Sequence, residues 1–139
     1  MKVRLTTTDD YEALCAVDSV AETSQERRDQ ISEWLLSARC HVAEADGRIA
    51  AYGVLTDPFF GHPFIEMVMV GKDFRHQGFA TEIIRYLLST NPSSKIFSST
   101  NTSNRPMQML FAKLGFKPTG YVDNLDEGDP EIIFYHPAA

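Results

Sequence analysis

Between Phe64 and Ser89 the chain runs from an apolar stretch broken only by Glu66, through the polar turn Arg75-His76-Gln77-Gly78, into a segment whose apolar residues Phe79, Ile83, Tyr86 and Leu87 recur at helical spacing. That change of period reads as a strand, a turn and an amphipathic helix ending at Thr90-Asn91-Pro92. A helix that starts in such a turn offers its first unpaired N–H groups and the positive end of its dipole, so the unit is suited to hold an anion such as phosphate. Gly78 removes the side chain where an anion must approach the backbone, small Ala80 lets the turn pack closely, and Arg75 adds a charged donor. Neither the phosphate-loop pattern G-x-x-x-x-G-K-[ST] nor the dinucleotide pattern G-x-G-x-x-G is present.

The rest of the chain places this unit in a mixed sheet. Val3 to Thr6 reads as a short strand, and Thr8-Asp9-Asp10 supplies cap chemistry for a helix carrying Tyr11, Leu14, Cys15 and Val17. A second helix opens at Ser24-Gln25-Glu26-Arg27, with Ile31, Trp34, Leu35 and Ala38 on one stripe expected to face the core. Asp46-Gly47 predicts a two-residue hairpin turn between strands His41 to Ala45 and Arg48 to Thr56. Asp57 to Pro63, with two prolines and a glycine, is expected to break the chain, and its Phe59 and Phe60 either wall a pocket or lie as a lid on the core. Lys95 to Thr100 reads as a strand, Met107, Leu110, Phe111 and Leu114 as a helical stripe stopped by Gly115, and Phe116 to Val122 and Glu131 to Tyr135 as the last strands. The order βααβββαβαββ predicts one α/β (α+β) domain over 1–139, a sheet covered by helices.

Bulk properties exclude several classes. A net charge of -6 argues against broad nucleic-acid binding, which needs a basic surface. The longest apolar runs are too short to span a bilayer, and the first residues lack the apolar stretch of a secretory signal, so a cytoplasmic protein is expected. Cys15 and Cys40 lack metal-ligand spacing and read as free thiols; no metal is expected.

The turn and the strand before it, Val68-Met69-Val70 and then Arg75-His76-Gln77-Gly78-Phe79-Ala80-Thr81, resemble the R/Q-x-x-G-x-G/A signature of the GCN5-related N-acetyltransferase (GNAT) superfamily. Asn104-x-x-Met107-x-x-Leu110-Phe111-x-Lys113-Leu114-Gly115-Phe116 is similar to that superfamily's later N-x-x-A-x-x-L-Y-x-K-x-G-F element. The resemblance implies a GNAT-like, mostly antiparallel sheet and acetyl-CoA as the acyl donor. The strand before the turn would splay from Ile96 to Thr100, with the pantetheine arm in the gap. Carried over, Arg75, His76, Gln77, Gly78, Phe79, Ala80 and Thr81 would form the pyrophosphate turn, Val68, Met69 and Val70 would pair with pantetheine, and Asn104, Met107 and Phe111 would line the arm. It also implies an amine substrate, small molecule or peptide, and suggests a homodimer.

The implied reaction is direct attack of a neutral amine on the thioester, with a backbone N–H of Val68 to Val70 polarising the oxyanion. An alkyl amine with pKa near 10.4 is neutral in about one molecule in two thousand at pH 7, so a base assists. Glu66, in an apolar strand where burial would raise its pKa, is the first candidate, the alternative being a solvated or salt-bridged strand residue, and His62 is the second. At Phe111 many relatives carry a tyrosine proposed to protonate the leaving thiolate; Tyr121, Tyr135 and Ser99 are candidates to replace it, with Tyr121 taken as the catalytic acid. Asp123, Asp126, Glu127, Asp129 and Glu131 form an acidic loop that either gathers a cationic amine or is simply solvated. The alternative to an enzyme is a catalytically idle acyl-CoA sensor or partner-binding module, motivated by Phe111.

Overall fold

Asp46 and Gly47 both adopt left-handed backbone conformations, φ 53° and 76°, the geometry that lets a two-residue turn follow the twist of its strands. They join β2 (Arg39–Ala45) to β3 (Arg48–Phe59). A second tight turn replaces the break expected at Asp57 to Pro63: Phe60 and Gly61, φ 51° and 81°, turn β3 directly into β4 (His62–Val70). Pro58 and Pro63 are tolerated because pairing is irregular between Thr56 and Phe59, so no ladder bond needs the N–H they lack. Phe59 packs against Phe64 and Phe97, with ring centroids 4.7 and 5.2 Å away, whereas Phe60 is 88% exposed.

The computed structural model describes residues 1–138. Its elements follow the predicted order: β1 (Lys2–Leu5), α1 (Tyr11–Val17), α2 (Gln25–Ser37), β2, β3, β4, α3 (Phe79–Ser89), β5 (Ile96–Asn101), α4 (Arg105–Lys113), β6 (Lys117–Val122) and β7 (Glu131–His136). Short single-turn helices at Thr8–Asp10 and Lys72–Phe74 precede α1 and α3. The seven strands form one sheet in the order β1-β2-β3-β4-β5-β7-β6, antiparallel throughout except for β4 beside β5.

Alternation along the central strands divides the core between the two faces. Tyr52 and Val54 of β3 pack with Leu14, Ile31 and Trp34 of α1 and α2. Ala51 and Leu55 pack on the opposite face with Ile83, Ile84 and Leu87 of α3 and with Phe111 of α4. Gly53 marks the closest approach, since a Cβ there would lie 2.5 Å from Ile83 Cγ2. The link between α1 and α2 is pinned by Asp18, wholly buried, which accepts from Tyr52 Oη at 2.5 Å, Arg27 Nη1 at 2.9 Å and the Val20 N–H at 2.9 Å. Burial, then the Asp18 carboxylate, pushes the Tyr52 phenol well above its ordinary pKa of 10.0 and keeps it a donor. The core beneath α1 and α2 contains no residue of β5, β6 or β7. On that face the C-terminal half of the sheet is therefore not part of a helix-packed core.

Candidate active site

The parallel pair β4–β5 is joined at only two positions, Phe64 to Phe97 and Ile65 to Ser98. Ser98 Oγ donates to the Ile65 carbonyl at 2.8 Å and closes the apex. Beyond that bond β4 stays with β3 while β5 stays with β7, and the strands part as the resemblance implied. At the apex β4 also carries a bulge, because Leu55 pairs with Ile65 and Val54 with Met67, leaving Glu66 as the extra residue. A bulge re-aims its side chain. Glu66 is consequently exposed, which is the solvated alternative and not the buried one.

Three cavities meet along this splay. A groove of about 490 Å³ is lined by Val68, Met69 and Val70 of β4, by Arg75, His76, Phe79 and Ala80 of the turn and α3, and by Asn104 and Met107 of α4. A cleft of about 250 Å³ between β4 and β5 shares Val68, Asn104 and Met107 with it and adds Glu66, Ser99, Phe111 and Glu131. The third, about 650 Å³, lies between the end of α2 and the ends of β3 and β4; its wall includes Glu33, Trp34, Arg39, Asp57 and again Glu66. Glu66 is common to the second and third.

The turn into α3 has the conformation an anion site requires. His76 and Gly78 are left-handed, φ 64° and 87°, and Gly78 occupies the position just before the helix. The first helical bond runs from the Glu82 N–H to the Gly78 carbonyl at 3.1 Å, so the N–H groups of Phe79, Ala80 and Thr81 precede the ladder. Nothing lies within 4 Å of a Cβ built on Gly78, so the glycine serves its backbone angle and an open approach rather than internal packing. Gln77, Gly78 and Thr81 do not line the groove wall; they form the rim and first turn above it. A groove this size ending at unpaired N–H groups beside the Arg75 guanidinium fits a long apolar arm carrying a pyrophosphate. Asn104 caps α4, its Oδ1 accepting from the Met107 N–H at 3.2 Å, which leaves its amide nitrogen as a donor at the junction of groove and cleft.

The other candidates separate. Phe111 is 0% exposed and packs against Phe116 and Phe134, both with ring centroids 5.0 Å away, so it is a core residue that also borders the cleft. Tyr121 is 68% exposed on the outer strand β6, opposite Ile132, and lines neither the groove nor the cleft. Its assignment as acid is not supported by position: β7 inserts between β5 and β6 and moves Tyr121 to the sheet edge. Tyr135 and His62 lie instead around the ring of Phe97, at 6.1 and 5.5 Å. In the acidic loop, Asp126 accepts from Asn101 Nδ2 at 2.8 Å, and Asp129 from the Ser103 N–H and hydroxyl at 3.0 and 2.6 Å, fastening the loop to the β5–α4 corner. Sequence reasoning missed the Ser99 to Glu131 bond, 2.7 Å, because the partners are 32 residues apart and meet only through β5–β7 pairing. No group of three or more potential metal ligands occurs among the described residues, and no helix there is long and apolar enough to cross a membrane.

A sheet split beside one bulged carboxylate, with a glycine turn at the far end of the groove, is the architecture of an acyl-transfer domain, and comparison with known proteins agrees. The chain belongs to the Acetyltransferase (GNAT) family, whose model matches residues 7–116. It is similar to an acetyltransferase of the GNAT family from Bacillus cereus, with 36% identity, a TM-score of 0.91 and coverage of 99% of this chain and 97% of that one. The ribosomal-protein-S18-alanine N-acetyltransferase of Escherichia coli shares the fold at 15% identity and TM-score 0.83, covering 99% of this chain and 94% of that one. So does a Corynebacterium glutamicum protein described as a histone acetyltransferase and related acetyltransferase, at 19% identity and TM-score 0.83, with coverage of 99% and 96%. No curated protein matches the chain.

Proposed function

We propose that this protein is an acetyl-CoA-dependent N-acetyltransferase that acts on a primary amine of a small molecule or peptide by direct attack. The observation that carries the reading is the continuity of the 490 Å³ groove, which begins at the unpaired N–H groups after Gly78, with the cleft that holds Glu66. In this reading Arg75 and the backbone from Gln77 to Ala80 hold the pyrophosphate. The β4 segment Val68 to Val70, which faces the open splay, pairs with the arm and polarises the thioester oxygen through a backbone N–H. Glu66, reachable from both cleft and outer cavity, takes a proton from the amine directly or through water. Phe111 supplies shape and no proton, so the thiolate, with a pKa near 8.5, leaves without an acid from α4. The enzyme is proposed to work in the cytoplasm.

Incubation with acetyl-CoA and a broad panel of primary amines, read by thiol release, tests this. Release that depends on one class of amine is the expected result. Tight acetyl-CoA binding with no release across the panel would instead favour an idle acyl-CoA-binding module, for which the missing hydroxyl at Phe111 and the remote position of Tyr121 are the arguments.

A further inference from the structure

The last paired positions of the splay are Ile65 and Ser98, and the next residue on each strand is polar: Glu66 on β4 and Ser99 on β5. Both line the cleft. Register places Ser98 opposite Phe134, a core residue on the α4 face, so alternation turns Ser99 toward the face that α1 and α2 leave uncovered. Glu131 stands on that same face, two positions from Ile133, the register partner of Ser99, and its Oε2 accepts the Ser99 hydroxyl at 2.7 Å. The cleft is thus flanked by a carboxylate on one lip and a hydroxyl backed by a carboxylate on the other.

We propose that Ser99 and Glu131 form a second proton-handling pair, with Ser99 touching the acceptor nitrogen and Glu131 holding and discharging Ser99, and that the acceptor is therefore a primary alkylamine that arrives as its ammonium. This rests on the transferase reading. A hydroxyl that donates to a carboxylate presents its oxygen lone pairs to the cleft, which suits an N–H donor. A fixed negative charge near the departing thiolate would oppose its release, whereas the same charge near nitrogen favours the positive charge that grows as the amine attacks. The pair therefore serves nitrogen, from the face opposite Phe111. One proton of the bound ammonium first passes to Ser99 Oγ while the Ser99 proton passes to Glu131 Oε2, which leaves a neutral amine; as its nitrogen–carbon bond forms and the carbon–sulfur bond breaks, a second N–H proton passes to Glu66, directly or through water. The electron pair of the broken bond leaves on sulfur, and solvent later protonates the thiolate and collects the protons from Glu131 and Glu66. Two carboxylates around one amine also select the cationic form over a hydroxyl or an aromatic amine.

The test compares the wild-type protein with Ser99→Ala and Glu131→Gln, using acetyl-CoA and two nucleophiles: the fastest primary alkylamine of the panel, and hydroxylamine, which is largely neutral near pH 7. Both variants should lose about 10²-fold in kcat/KM with the alkylamine and stay within about threefold with hydroxylamine, since only the alkylamine must shed a proton before it can attack. The alkylamine rate of Glu131→Gln should climb toward wild type as pH approaches the amine's own pKa, acetyl-CoA affinity should be unchanged, and Ser99→Thr should retain most of the rate. Equal losses with both nucleophiles, or no loss with either, overturns the pair and leaves the transferase reading intact. A wild-type protein that binds acetyl-CoA but releases thiol with neither nucleophile overturns both.

Discussion

The two strands that part beyond Ile65 and Ser98 build their sides of the cleft by different means. On β4 and the turn that follows, the groups proposed to work are main-chain: N–H groups along the open edge of Val68 to Val70, and those at the start of α3 after the left-handed residues His76 and Gly78. On β5 and the strand it pairs with, they are side chains: Ser99 bound to Glu131. A main-chain site tolerates many side chains and fails when its backbone angle or approach is changed, whereas a side-chain site fails at single atoms. The first is suited to a donor common to a family, and the second to an acceptor that differs among its members.

Four substitutions sharpen this contrast. Gly78→Glu forces a side chain into a left-handed position and sets negative charge against the pyrophosphate. With two charge-assisted bonds lost, acetyl-CoA affinity should fall by about 10³-fold in calorimetric titration, and unchanged affinity in a folded variant would break the assignment. Glu66→Gln should lower kcat/KM for amine transfer by about 10²-fold at neutral pH while leaving donor affinity alone; a matching loss of affinity would put Glu66 on the donor's side. Asn104→Ala removes both the α4 cap and a donor at the cleft. It should cost about 1 kcal/mol in denaturant unfolding, together with a donor affinity loss of about fivefold to tenfold. The smallest effect belongs to Tyr121→Phe, which should change steady-state rates by less than about twofold, because the ring lies exposed on the outer strand. A larger loss there would show that the edge strand reaches the cleft in the working enzyme.

Much of the fold was legible because local chemistry and tertiary context agree. The Asp46-Gly47 turn, the Ser24 cap of α2 and the apolar stripe of α3 each appear where the residues implied. The stretch Asp57 to Pro63 misled, since its prolines suggested a break, yet both sit where the ladder is already irregular and Phe60-Gly61 makes a hairpin instead. Glu66 was open between burial and solvent on the sequence, and a bulge, which suspends alternation for one residue, decided for solvent.

The sequence by itself determined the family of this protein and the half proposed to hold the donor: the strand, glycine turn and helix from Val68 to Ser89, with the Asn104 to Phe116 element, are contiguous patterns that a sequence displays directly. Only the tertiary structure decided the half proposed to meet the acceptor. It moved Tyr121 to the sheet edge by inserting β7, engaged Asp126 and Asp129 in holding their loop, and joined Ser99 to Glu131 across 32 residues. Those outcomes depend on strand order and register, which bring together residues that share no local pattern, so no window of sequence contains them.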